Sequence, residues 1–297
     1  MQTIALPYPY LKSRFPGIVF RIVFALCYLL ATSLAAQGDL LLFPKRLVFE
    51  DGKKSEIINL TNIGKDTATY RISFIQIRMN EDGSFENIVE PDTGQLFAES
   101  LLRYYPRTVT LAPNESQVVK VQVKKTNGLP EGEYRSHLYF RADKTASPVD
   151  EKARVDTSKT SVSVSLNALF GISIPTIVRI GNLTSGVTLS NLGFERNAQG
   201  APTLKVQFNR SGNESVYGNV EVSYVSPEGA MTKVADVGGL AVYTPGKLRR
   251  ATIVLKEPAG VDFSKGKLWV VYKMPPEKKN QTLARAELTL SPAPSLR

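Results

Sequence analysis

The chain has 297 residues, 42% of them hydrophobic, with 37 Lys and Arg against 27 Asp and Glu, one Cys and one His. Apolar content on that scale excludes a disordered chain, and a single cysteine excludes a small disulfide-built scaffold. At roughly 100 to 200 residues per domain, the length predicts two globular domains.

The N-terminus reads as a leader. Lys12, Arg14 and Arg21 occur without an acid in the first 21 residues, and residues 22–34 then run apolar up to Ala35, Ala36 and Gln37. This is the pattern of a secretory signal peptide, with Ser33 and Ala35 as the small residues a signal peptidase inspects. The run is shorter than the roughly 20 residues of a membrane-spanning helix. Cleavage is expected after Ala35 or Ala36, giving a leader of 1–36. Cys27, the only cysteine, lies inside it. Export without disulfides suits a bacterial envelope, hence the periplasm, better than an animal extracellular space. The positive balance is spread along the chain, which together with export argues against nucleic acid as a partner.

After the leader, short runs of alternating or β-branched residues recur between Gly, Pro, Asn and Asp, so the chain is predicted to be all-β. Strands are expected at 40–50, 56–61, 68–79, 104–111, 117–124, 134–141 and 162–174, with a turn at Asp82-Gly83 and a short helical turn within 90–100. Seven strands in about 135 residues is the spacing of an immunoglobulin-like sandwich. A second series is expected at 203–208, 217–225, 231–235, 248–255, 267–274 and 283–290. The predicted architecture is two immunoglobulin-like β-sandwich domains, 37–176 and 177–297. Their connection is short and not Gly/Ser-rich, so a fixed angle and a cleft are expected.

Residues 161–174 depart from an ordinary sandwich. Val162, Val164, Leu166, Ala168, Phe170, Ile172 and Ile174 share one parity, with Ser at several alternate positions. One strand of that length would span about 46 Å, against about 17–20 Å for a usual strand, so part of it should overhang its domain. It follows a long polar stretch at 142–159. An overhanging apolar edge is normally blocked by Lys, Pro or a bulge. Here it is left open, as expected of a strand that augments another protein's sheet. Val162, Val164 and Leu166 are the expected inserted residues; Phe170, Ile172 and Ile174 are expected to anchor the strand in its own domain.

Several stretches carry a family resemblance: Phe43-Pro44-Lys45-Arg46-Leu47-Val48-Phe49-Glu50, the run 56–62, Tyr105-Pro106-Arg107 through Val121, the run 132–141, and Phe170-Gly171-Ile172-Ser173-Ile174-Pro175. Together they resemble the PapD-like periplasmic pilus-assembly chaperones, the last stretch particularly their archaic branch. The resemblance implies a boomerang of two sandwiches. It also implies a seventh strand that completes pilin or fimbrial subunits until an outer-membrane usher takes them. It further implies a basic pair in the cleft that holds the subunit's C-terminal carboxylate. Arg46 matches the first member of that pair, although alone it would read as a solvent-facing strand arginine. The second is normally a Lys on the last strand, and residues 166–174 hold no cation; Arg135 and Arg141 are the substitutes at hand. Whether the free protein caps its own donor strand as a dimer is left open.

Catalysis has little material. His137 is the lone histidine and alternates within a strand, so a His-dependent triad or a multi-histidine metal site has almost no material, and no cofactor motif is visible. Glu81, Asp82, Glu86, Glu90 and Asp92 cluster around the predicted hairpin, where a solvated turn is the ordinary reading. Two rivals to the chaperone remain: a structural or adhesive envelope protein, and a carbohydrate-processing sandwich enzyme using Glu86 and Asp92.

Overall fold

The computed structural model describes residues 40–124, 126–143, 171–276 and 281–291. In chain order the first strands are β1 (Leu40–Phe43), β2 (Leu47–Phe49), β3 (Ser55–Asn62), β4 (Ala68–Ile75), β5 (Ile77–Met79), β6 (Phe85–Asn87), β7 (Leu102–Tyr105), β8 (Thr108–Leu111), β9 (Ser116–Val123), β10 (Gly132–Ala142) and β11 (Gly171–Ile180). They form two facing sheets, ordered β1-β3-β9-β7 and β2-β11-β10-β4-β8, and a separate β5-β6 ribbon. The expected helical turn is a 3₁₀ turn at Glu99–Leu101. Alternation does what the pattern predicted: Ile58 and Leu60 of β3, Val119 and Val121 of β9, and Leu138 and Phe140 of β10 point into one core. Each such side chain contributes about 1.5–3 kcal/mol by leaving water.

Two expected strands are each cut in two by a proline. The run 40–50 breaks at Pro44, so β1 pairs antiparallel with β3 while β2 crosses to the other sheet and runs parallel to β11. The run 104–111 breaks at Pro106, leaving β7 beside β9 and β8 beside β4. Proline cannot donate to a ladder, and at both places the chain leaves one sheet and joins the facing one. The last strand runs beyond Ile174 to Ile180, paired with β10 throughout.

The second sandwich contains β12 (Ser185–Arg196), β13 (Pro202–Gly212), β14 (Val216–Val225), β15 (Met231–Val242), β16 (Leu248–Val254), β17 (Lys267–Lys273) and β18 (Thr282–Thr289). Its sheets are β12-β13-β16 and β15-β14-β17-β18, around Leu204, Phe208, Val220, Val222, Val270 and Tyr272. The sequence reading has no counterpart of β12. A register shift between Ser190 and Gly193 moves its apolar residues from odd positions, Val187 and Leu189, to even ones, Leu192 and Phe194. A bulge of that kind breaks the two-residue period by which a strand is recognised.

The two sandwiches meet on the outward face of β10, β11 and β2. Ile177, Ala241 and Tyr243 form a small buried cluster there, with Val48, Met79 and Tyr217 packed against it. Beside it lies a buried ion network. Arg179 binds Glu50 at 2.6 Å, Glu214 at 2.9 Å and Glu133 at 3.1 Å. Glu133, whose side chain is fully buried, also accepts from the Ser215 amide at 3.0 Å, the Thr244 hydroxyl at 3.1 Å and the Ser215 hydroxyl. Burial opposes the Arg179 charge, but Glu133, Glu214 and Glu50 more than offset it and hold the guanidinium above its ordinary value.

Removing one partner from such a network leaves buried charge uncompensated, which costs about 3–5 kcal/mol. Arg179→Met is therefore expected to lower the unfolding free energy by about that amount in urea titrations. Arg71→Met removes an exposed pair with Asp143 and should cost under about 1 kcal/mol. Equal losses in the two variants would show that the network does not join the sandwiches.

Candidate functional site

On the face that joins the sandwiches, the β10–β11 register places Glu133 opposite Arg179, Arg135 opposite Ile177 and His137 opposite Pro175, and Ile177 in turn lies beside Val48 of β2. Arg46 precedes β2 and, by strand alternation, shares the outward parity of Val48 and Glu50. Its guanidinium lies 4.5 Å from the centroid of the Tyr217 ring and 5.6 Å from that of Tyr243. Arg135 stacks on Tyr243 at 4.5 Å and donates from Nη2 to the Thr244 carbonyl at 3.4 Å. His137 meets the Tyr243 ring edge-on at 6.3 Å. Tyr243 thus organises three nitrogenous side chains of the other sandwich, two from β10 and one from just before β2.

These groups are short of partners. Arg135 and His137 are each 3% exposed, and Arg46 Nη1, Arg135 Nε and His137 Nδ1 are buried without a hydrogen bond. Burial pushes Arg135 below its ordinary pKa and Arg46 adds to the push, against attraction from Tyr243 and Glu133. Burial, then Arg135 and Arg46, hold His137 well below the usual imidazole value of 6.5. Glu133, the nearest buried acid, is spent on Arg179, Ser215 and Thr244. A water-poor face with unpaired guanidinium donors is suited to an anion, above all a planar carboxylate, which an arginine fork matches geometrically.

Of the residues singled out from sequence, Arg46 lies in this cluster and Arg135 joins it. Arg141 is exposed farther along β10, opposite Gly171. Arg179 is the one cation on β11, and its guanidinium is taken by the three acids. Ile174 is buried in the first core and Ile172 is partly buried against it. Val162, Val164, Leu166 and Phe170 lie outside the described residues. A side chain at Gly171 would run into the Tyr139 ring, which accounts for glycine there. Sequence does not single out Tyr217, which alternates in β14, or Tyr243, which lies just past β15, because nothing in the sequence around either distinguishes it.

The acidic cluster is divided among cations. Asp92 accepts two bonds from Arg78, which hold its carboxyl below the usual range, and Glu81 pairs with Arg250 at 2.7 Å. Among the described residues no group of three His, Cys, Asp or Glu side chains is arranged to hold a metal ion.

Β11 has an open flank. On one side β10 pairs with it from Gly171 to Ile180, whereas on the other β2 covers only Thr176 to Val178. Among the described residues, 171–175 are paired on one side alone. Arg46 adjoins Leu47, the partner of Thr176, and so stands where the open flank ends.

His137 supplies a pH test. Its folded pKa is depressed, so below about 6.5 the unfolded chain takes up a proton that the folded chain refuses. Its contribution is complete above that pH and is lost as pH falls toward the lowered folded value. Between pH 7.5 and 5.5, urea-derived stability should fall by up to about 1.4 kcal/mol per pH unit, and His137→Gln should flatten the slope. With one histidine in the chain, an unchanged slope would show that His137 titrates normally.

No family model matches the chain, and no curated protein sequence does. Solved structures do. The class 5 fimbriae chaperone CfaA is 16% identical, with 86% of this chain and 100% of that one covered and a TM-score of 0.38. The Acinetobacter baumannii structure of the CsuC–CsuE chaperone–tip adhesion subunit pre-assembly complex, from archaic chaperone-usher Csu pili, gives 14% identity, 86% and 99% coverage and a TM-score of 0.39. The Salmonella enterica SafA pilin in complex with the SafB chaperone gives 12%, 86% and 98%, and 0.39. Each of these similarities is to a structure of a fimbrial or pilus chaperone, alone or with a subunit.

Proposed function

We propose that the chain is an exported, non-enzymatic chaperone of pilus or fimbrial subunits, acting in the periplasm by lending them a strand before an outer-membrane usher receives them. The observation that carries this reading is the open flank of β11 at 171–175, which ends at Arg46. The strand's own sequence continues backward from that flank into the alternating apolar run with Val162, Val164 and Leu166. A partner strand laid on the flank in line with β2, and parallel to β11 as β2 is, would end where β2 begins. Its terminal carboxylate would then reach Arg46. Main-chain bonds along the flank supply affinity, and alternate side chains supply fit. Export rests on the leader at 1–36, and Ile172 and Ile174, packed in or against the first core, hold the strand to its own sandwich.

The test is purification of the tagged protein from its native envelope, with mass spectrometry of companions present in stoichiometric amount. A small β-rich companion is expected with the wild type and should be lost with Val164→Asp, while that variant stays folded. Arg46→Ala should weaken the complex by about 2–5 kcal/mol, because the partner charge is left unpaired. Global unfolding of Val164→Asp would identify a core strand instead. Homopolymers without a companion would identify a structural envelope protein whose open strand pairs with its own copies.

A further inference from the structure

The cationic face is bordered, at His137 and Tyr243, by a piece of the protein's own chain. β5 and β6 form a two-stranded ribbon, Ile77 opposite Asn87 and Met79 opposite Phe85, that belongs to neither sheet of the first sandwich. Its turn is stiff. Asn80 and Ser84 are bonded backbone to backbone, and Asp82 accepts from the Ser84 amide at 2.9 Å and hydroxyl at 2.6 Å. From there the ribbon reaches the second sandwich. The Arg250 amide donates to the Glu81 carbonyl, and Glu81 pairs with Arg250. A side chain at Gly83 would crowd the Arg249 guanidinium at 2.6 Å. Nearer its base, Phe85 lies 6.0 Å from the His137 ring and 6.3 Å from Tyr243.

The fastening and what lies beside it are unequal. Glu81 and Arg250 are 58% and 63% exposed, and such a surface pair adds little. Phe85 is itself half exposed. Phe85 meets the His137 and Tyr243 rings, and on that same Tyr243 ring stack Arg46 and Arg135, whose Nη1 and Nε respectively are buried without an acceptor. The ribbon's acids go elsewhere: Glu81 to Arg250 and Glu86 to Arg78. The ribbon therefore borders the arginines without satisfying them, and a carboxylate would satisfy them better. Resting on the carboxylate role of Arg46 set out above, we propose that the β5–β6 ribbon is a displaceable strap that closes the Arg46–Arg135 face and lifts to admit a carboxylate.

The test locks and loosens the strap. Glu81→Cys with Arg250→Cys, which face each other across the amide–carbonyl bond, ties it down under oxidation and frees it with dithiothreitol. Glu81→Lys loosens it by setting two cations together. Phenylglyoxal modification of Arg46 and Arg135, read by peptide mass, reports access, with exposed Arg196 as the internal control. If access requires local opening, locking should slow modification of both arginines roughly tenfold relative to the reduced form, and Glu81→Lys should accelerate it. In Glu81→Lys, acetate but not chloride at equal ionic strength should protect them.

Equal rates in locked, reduced and loosened proteins would overturn the strap. Failure of acetate to protect would overturn the carboxylate site. Recovery of the Val164-dependent companion equally well by locked and reduced protein would also overturn the strap. Strap-dependent labelling with no companion in either state would leave the strap standing and remove the chaperone reading.

Discussion

Everything on the joining face depends on one buried carboxylate. Glu133 sits in β10 with no contact with water, and it is tolerable there because Arg179, the Ser215 amide and the Ser215 and Thr244 hydroxyls all point at it. Two of its partners come from a neighbouring segment of the second sandwich and a third from beyond β15, so the charge can be satisfied only when the sandwiches are docked. A buried acid of this kind adds little net stability compared with an apolar packing, yet any arrangement that leaves it unpaired is strongly disfavoured. Its effect is to make one docking arrangement much better than the alternatives.

The same network explains why the site beside it is cationic. Glu50, Glu133 and Glu214 are drawn to Arg179, and among the described residues Arg46 and Arg135 make their direct contacts with aromatic faces and one backbone carbonyl. Stacking on a ring stabilises a guanidinium without using its hydrogen-bond donors. The arginines are therefore held in place with donors to spare, and the desolvation that depresses Arg135 and His137 strengthens any anion that reaches them. Ordering by Tyr217 and Tyr243 and the commitment of nearby acids to Arg179 together leave an interdomain seam with guanidinium donors to spare.

The open flank of β11 comes from a different constraint. Pro44 ends β1 and sends the chain to the second sheet, where β2 pairs with only three residues of β11. A longer β2 would close the flank and bury the edge. An edge left unpaired beside the cationic seam would offer a partner of the kind proposed two dissimilar contacts, a ladder of main-chain bonds and an end charge, with the distance between them set by the register of β2 on β11.

Period-two alternation marked most strands of both sandwiches, because burial of one face is a local property written into every second residue. It marked the long run ending in Ile174 and, through the first-strand resemblance, Arg46. Where local period and tertiary demand part, the sequence was silent. The bulge at 190–193 hid β12 by switching its buried parity, and the expected strands 40–50 and 104–111 run through Pro44 and Pro106, where the chain in fact passes between sheets. Strand class and most buried positions were determined by the sequence itself. Between Arg135 and Arg141, the two substitutes the sequence offered beside Arg46, tertiary structure placed Arg135 in the cluster and left Arg141 exposed. Arg135 acquires its role from Tyr243 and from Thr244, 109 positions away, and only docking of the two sandwiches, enforced by Glu133, brings residues so distant in the chain within reach.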